Sequence, residues 1–120
     1  MAPQAETEAL QQIVGEQLSG VTFVMDYLQL QFNPPPTINL YTALTVSSGG
    51  KTCVSGEDQF RNKLCEQITK IVKSVVIRSG EALLLTFEDD SVISVSLKQS
   101  DYVGAEALYF IGRDKRWMVI

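Results

Sequence analysis

Four carboxylates flank one short apolar run: Glu81, Glu88, Asp89 and Asp90 bracket residues 83–87. Paired carboxylates can share a proton or hold a cation. Glu88-Asp89-Asp90 also suits a hairpin turn, in which an Asp side chain bonds the backbone two residues on. The turn is the simpler reading. The chain has no histidine, so neither a Ser-His nor a Cys-His nucleophile can be assembled. Its two cysteines, Cys53 and Cys65, are too few for a disulfide scaffold and are not spaced as a zinc knuckle. Cys53 lies in a strand-like run and Cys65 in a helix-like one, and both read as small buried hydrophobes. No structural zinc and no disulfide are expected. Ser79-Gly80-Glu81 and Ser48-Gly49-Gly50-Lys51 have the small residues of phosphate loops, but neither has P-loop spacing or runs from strand into helix. No catalytic residue, metal ligand or cofactor is assigned.

The elements around these residues follow from hydrophobic period. Residues 1–6 read as a flexible tail. From Thr7, the spacing of Leu10, Ile13, Val14 and Leu18 predicts a helix. Glu6 and Glu8 suit its N-terminus, and Gly20 ends it as a C-terminal glycine would. The period then becomes two. Val21 and Phe23 share a face, Asp26-Tyr27 marks a turn, and Leu28, Leu30 and Phe32 alternate with Gln29 and Gln31. Asn33-Pro34-Pro35-Pro36 must be a connection. Ile38 and Leu40 resume the alternation, and a hairpin turns at Ser48-Gly49-Gly50.

Ser55 with Asp58 resembles a capping box. Phe60, Leu64, Ile68 and Ile71 predict a second helix, with Lys70 and Lys73 at its C-terminal end. Strands return around Val75, Leu83 to Phe87 and Val92 to Leu97. A last hairpin runs from Leu108 to Ile120, its tip at Gly112-Arg113-Asp114-Lys115. Trp117 and Val119 point one way, Met118 and Ile120 the other, and so apolar an end reads as a core strand with both faces covered.

The two halves share this layout. Leu28, Leu30 and Phe32 match Leu83, Leu85 and Phe87; Ile38 and Leu40 match Ile93 and Val95. The expected fold is therefore α+β: two helices packed on a largely antiparallel sheet, with internal duplication of a helix-plus-strands unit. Residues 1–120 form one domain, with repeats 7–54 and 55–120. The residues opposite the core separate two candidate surfaces. Gln29, Gln31, Asn39 and Tyr41, with Thr22 and Val24, make a mostly polar face. Val76, Leu84 and Val92 make an apolar one, a candidate protein contact that the C-terminal hairpin or a helix should partly cover.

Composition limits the classes of function. Of 120 residues, 45% are hydrophobic and 20% charged, as in an ordinary globular protein. The net charge of −4, with no basic stretch, argues against nucleic acid. No apolar run approaches the ~20 residues needed to span a bilayer. The N-terminus lacks the pattern of a secretory signal, so a cytoplasmic location is expected.

The run from Gly20 to Phe32, and that from Gly80 to Asp90 with the β-run after it, resemble small uncharacterised bacterial proteins. These are domains of unknown function, some suspected to be immunity proteins paired with secreted toxins. The resemblance covers most of residues 10–97 and implies no catalytic residue. The expected function is a non-catalytic protein-binding module, of immunity type on that resemblance, with a protein partner or a second copy as its target. The alternatives are a small-molecule binder with a cavity between sheet and helices, or an enzyme relying on carboxylates or Cys53. A pocket holding Asp or Glu beside Tyr27 or Tyr41 would favour the alternatives. A flat apolar patch around Leu84 would favour the binding module.

Overall fold

A computed structural model describes residues 8–120; the expected tail, and Glu6 and Thr7 at the head of the first expected helix, lie outside them. Ten strands follow one another: β1 (Gly20–Val24), β2 (Tyr27–Gln31), β3 (Thr37–Leu40), β4 (Leu44–Ser48), β5 (Lys51–Val54), β6 (Val72–Arg78), β7 (Ala82–Phe87), β8 (Val92–Ser96), β9 (Leu108–Ile111) and β10 (Trp117–Val119). One short helix, α1 (Phe60–Cys65), separates β5 from β6. The strands form two five-stranded sheets, ordered β1-β2-β3-β9-β10 and β5-β4-β8-β7-β6. Every pairing is antiparallel.

Strict alternation along the strands decides which face is buried. Leu28, Leu30, Ile38, Leu40, Leu108 and Phe110 point inward from the first sheet. Leu44, Val46, Leu83, Leu85, Ile93 and Val95 do so from the second. All belong to one apolar cluster, so the sheets form a two-layer sandwich around a shared core.

The connectivity exchanges hairpins between the halves. The meander β1-β2-β3 is extended by the C-terminal hairpin, through β3–β9 pairing. The meander β6-β7-β8 is extended by the first hairpin, through β4–β8 pairing. Neither half completes a sheet by itself.

The α+β expectation is overturned. About 44% of the structure is strand. Among the described residues, helix is confined to α1, a turn at residues 8–10 and two 3-10 turns, Gln11–Ile13 and Gln99–Asp101. No layer of helices packs on a sheet.

The first expected helix ends early because Gly15 takes φ +86°, a conformation that costs glycine little. The chain then runs alongside residues 70–72. Gly15 N–H donates to Val72 O at 2.8 Å, Leu18 N–H to Lys70 O at 2.9 Å and Val72 N–H to Glu16 O at 2.9 Å. Leu10, Ile13 and Leu18 are all fully buried. One turn followed by an extended segment buries them as well as a helix would. Gly20 opens β1 and caps no helix.

The second expected helix keeps Phe60 and Leu64 in the core and stops before Thr69, which sits at φ +88°. Ile71 pairs with Gln17 in an isolated bridge, and Lys73 lies on β6. The capping box does not form. Ser55 Oγ instead accepts from Leu44 N at 2.8 Å, and Glu57 accepts from Val54 N. These short helical pieces close the sandwich at its sides. α1 packs against β1, β4 and β5. On the other side Gln11 donates to Val75 O at 3.1 Å, and Gln12 accepts from Arg113 N at 2.9 Å.

Candidate binding faces

The outer face of the first sheet is built by register. Thr22, Gln29, Asn39, Tyr109 and Val119 form one row across all five strands. Gly20, Gln31, Thr37, Ile111 and Trp117 form the next. Hydrogen bonds tie the polar side chains into a chain. Gln29 Nε2 donates to Asn39 Oδ1 at 2.8 Å, and Gln31 Nε2 to Gln29 Oε1 at 2.9 Å and Thr22 Oγ1 at 3.2 Å. Gln31 lies directly over Gly20, where a Cβ would collide with its amide. Gln29, Gln31 and Asn39, expected to share a polar face, are thus brought together.

Aromatic rings flank this amide chain at both ends. Tyr41, just past β3, meets Tyr27 with ring centroids 5.6 Å apart and planes tilted by 58°. At the other end Tyr109 and Trp117 stack at 6.0 Å and 8°. Trp117 is 64% exposed, whereas Met118 beside it is 3% exposed. This corrects the expectation that the C-terminal run has both faces covered. The alternation of Trp117 and Val119 against Met118 is legible in the sequence. Which of the two sets faces water is decided by the pairing of β10 with β9. Tyr27, Tyr109 and Trp117 are the members of this face that sequence reasoning missed.

The second sheet places Val76, Leu84 and Val92 on its outer face. Val76 lies opposite Leu84, while Val92 lies opposite Thr86. Leu84's other neighbour is Ser94, and Val92's is Ser47. Serine and threonine therefore interrupt the apolar surface around Leu84. Among the described residues neither the C-terminal hairpin nor α1 lies over this face, because β9 and β10 belong to the other sheet and α1 packs at the side; Leu84 and Val92 are half-buried and Val76 is exposed.

The carboxylate-rich turn is built around a lysine. Lys70 Nζ lies 2.8 Å from Asp89 Oδ2, 2.9 Å from Gln67 Oε1, 3.0 Å from Ser91 Oγ and 3.3 Å from Ser48 Oγ. Ser91 Oγ donates to Ser48 Oγ at 3.0 Å, and Ser91 N–H to Asp89 Oδ1 at 3.0 Å. The Lys70 ammonium and the Ser91 N–H hold the Asp89 carboxyl well down, at about 2 instead of the ordinary 3.8. Lys70 Nζ thus ties α1's C-terminal side, through Gln67, to the two turns that carry Ser48 and Asp89–Ser91. Asp90 takes φ +71° and pairs with Lys73. The cluster is turn chemistry, as its sequence suggested. Among the described residues no three His, Cys, Asp or Glu side chains converge as metal ligands, and no helix is long and apolar enough to cross a membrane. Cys53 is buried and Cys65 exposed, the latter against its expected burial.

A shallow hollow of about 320 Å³ opens beside the first sheet, lined by Asp26, Tyr41, Val103, Gly104, Ala105 and Glu106. Met25, in the β1–β2 turn next to Asp26, is 92% exposed and Val103 90%. Comparison with protein-family models, curated proteins and solved structures gave no match for this chain.

Proposed function

We propose that this chain is a non-catalytic protein-binding module whose contact surface is the outer face of the first sheet. The observation that carries this reading is the exposed Trp117 stacked on the half-buried Tyr109 beside an uncharged amide chain, with Tyr27 and Tyr41 at the far side. Tyrosine and tryptophan supply large, stiff contact area at small entropic cost, and amides between them supply adaptable hydrogen bonds. Such residues dominate binding hot spots. The strands hold the face rigid before any partner arrives, which lowers the cost of binding. The resemblance to immunity proteins supports a secreted toxin as the partner class, and a net charge of −4 suits a basic one.

The test begins with co-purification from the native cells, followed by titration of the purified partner. Trp117→Ala and Tyr27→Ala should each weaken binding about 30-fold, the scale of a hot-spot residue. Leu84→Asp, on the opposite face, should leave affinity unchanged. The reverse pattern moves the contact to the second sheet and ends this reading.

A second reading has one observation in its favour. Asp26 and Glu106 stand in the hollow beside Tyr41, a setting that suits a small cationic ligand against an aromatic ring. Calorimetric titration with quaternary ammonium and polyamine probes tests it, and binding that survives Asp26→Asn with Glu106→Gln counts against it.

A further inference from the structure

The sandwich has four edge strands, β1, β10, β5 and β6. Exposed edges invite pairing with other chains unless something blunts them. β6 carries Lys73 and Arg78 and an irregular register between Val72 and Ser74. β5 opens with Lys51, and Glu57 caps the Val54 N–H. β10 is three residues long and follows Arg116. β1, Gly20–Val24, carries no charge and no proline of its own and keeps an unbroken register with β2; α1 packs against it through the Phe23 side chain, with the Arg61 guanidinium 5.7 Å from that ring, and none of the backbone bonds of α1 reaches the strand.

The bonding pattern shows which groups β1 offers. Phe32 N–H donates to Pro36 O in the β2–β3 register. Leu30 and Leu28 therefore bond toward β3, and Gln31, Gln29 and Tyr27 toward β1. Their partners Gly20, Thr22 and Val24 are engaged with β2. The N–H and C=O groups of Val21 and Phe23 point away from the sheet, and among the described residues no backbone group bonds them.

We propose that β1 is the edge through which two copies of this chain join, strand to antiparallel strand, into one continuous sheet. The sequence of β1 is self-complementary about Thr22. Thr22 meets its own mate as a non-hydrogen-bonded pair. Val21 of one copy meets Phe23 of the other, exchanging the backbone bonds left open. Cross-strand Thr–Thr and aromatic–β-branched pairs are both favourable. Because the centre falls on a residue, inward side chains meet inward ones and the core side stays apolar. Met25 falls opposite Ser19, so no like charges oppose each other between residues 19 and 25. The polar row that begins at Thr22 then continues into the second copy, making one broad outer face. A second copy fits this edge better than a charged peptide, since no residue of β1 itself carries a charge to pair with one. The pairing does not depend on the partner proposed for the outer face.

Light scattering after size exclusion, over a concentration series, reads the mass. The wild-type chain should reach twice the monomer mass. Thr22→Lys sets two ammonium groups against each other and should stay monomeric. Val21→Pro removes an outward N–H and none of the β1–β2 bonds, and should do the same. In a Cys65→Ser background, Thr22→Cys should cross-link on mild oxidation, because the paired Cα atoms stand about 4.5 Å apart, while Thr52→Cys on β5 should not. Circular dichroism separates lost pairing from lost fold. A wild-type chain monomeric throughout overturns the proposal and leaves the edge to a strand of another protein. A dimer that persists in Thr22→Lys overturns it too, as does a folded Thr22→Cys chain that fails to cross-link.

Discussion

Lys70 shows what a single side chain does here. Gln67 is fully buried and Ser91 is 4% exposed, and each gives its side-chain oxygen to the ammonium group. Lys70→Met would leave those oxygens short of a donor, at a cost of about 1–3 kcal/mol in urea unfolding. Asp89 adds a pH dependence whose sign is set by its depressed value. Its contribution is complete above the ordinary value of 3.8 and is lost as pH falls toward about 2. The stability gap between wild type and Asp89→Asn should therefore narrow over that window and stay constant above it. Thermal midpoints at pH 6, 4 and 2 would check this. Leu84 behaves differently. It sits half-buried between Val76 and Ser94 on the outer face of the second sheet, so Leu84→Asp should cost about 1 kcal/mol, read by the same unfolding assay, and leave a folded chain.

At the scale of the element, the strands were readable and the helices were not. Leu28, Leu30 and Phe32, and likewise Leu83, Leu85 and Phe87, are all buried as their alternation with polar residues implied. Leu30 and Leu85 occupy the middle strands of two like meanders and are both fully buried. Leu30→Ala and Leu85→Ala should each cost about 2–5 kcal/mol, within a similar range of each other in urea unfolding. The helical stripes misled because helix period and burial are separate facts. Leu10, Ile13 and Leu18 are buried as expected, but Gly15 and Thr69 at positive φ cut the helices short. Short helices have little stability of their own, so the extended segment at residues 15–18, bonded to residues 70–72, prevailed.

The whole molecule depends on the hairpin exchange. β3 needs β9 and β4 needs β8, so a break in the loop at Gly56 should leave two fragments without a complete sheet. Residues 1–56 and 57–120, made separately, should show no cooperative thermal transition by circular dichroism, and an equimolar mixture should regain one. The sequence by itself determined the alternation, the turns at Ser48-Gly49-Gly50 and Asp89-Asp90, and the grouping of Gln29, Gln31 and Asn39 on one face. Each follows from local chemistry: side-chain period, backbone freedom at turns, and neighbours two residues apart. Tertiary structure decided the rest. It chose which hairpin completes which sheet, left Trp117 facing water beside Tyr109, and set the C-terminal hairpin in the first sheet, away from Leu84. Those outcomes rest on pairings such as β3 with β9, between residues some seventy positions apart. No local period carries them, because a strand with one apolar side packs equally well in either sheet until the partner strand is in place.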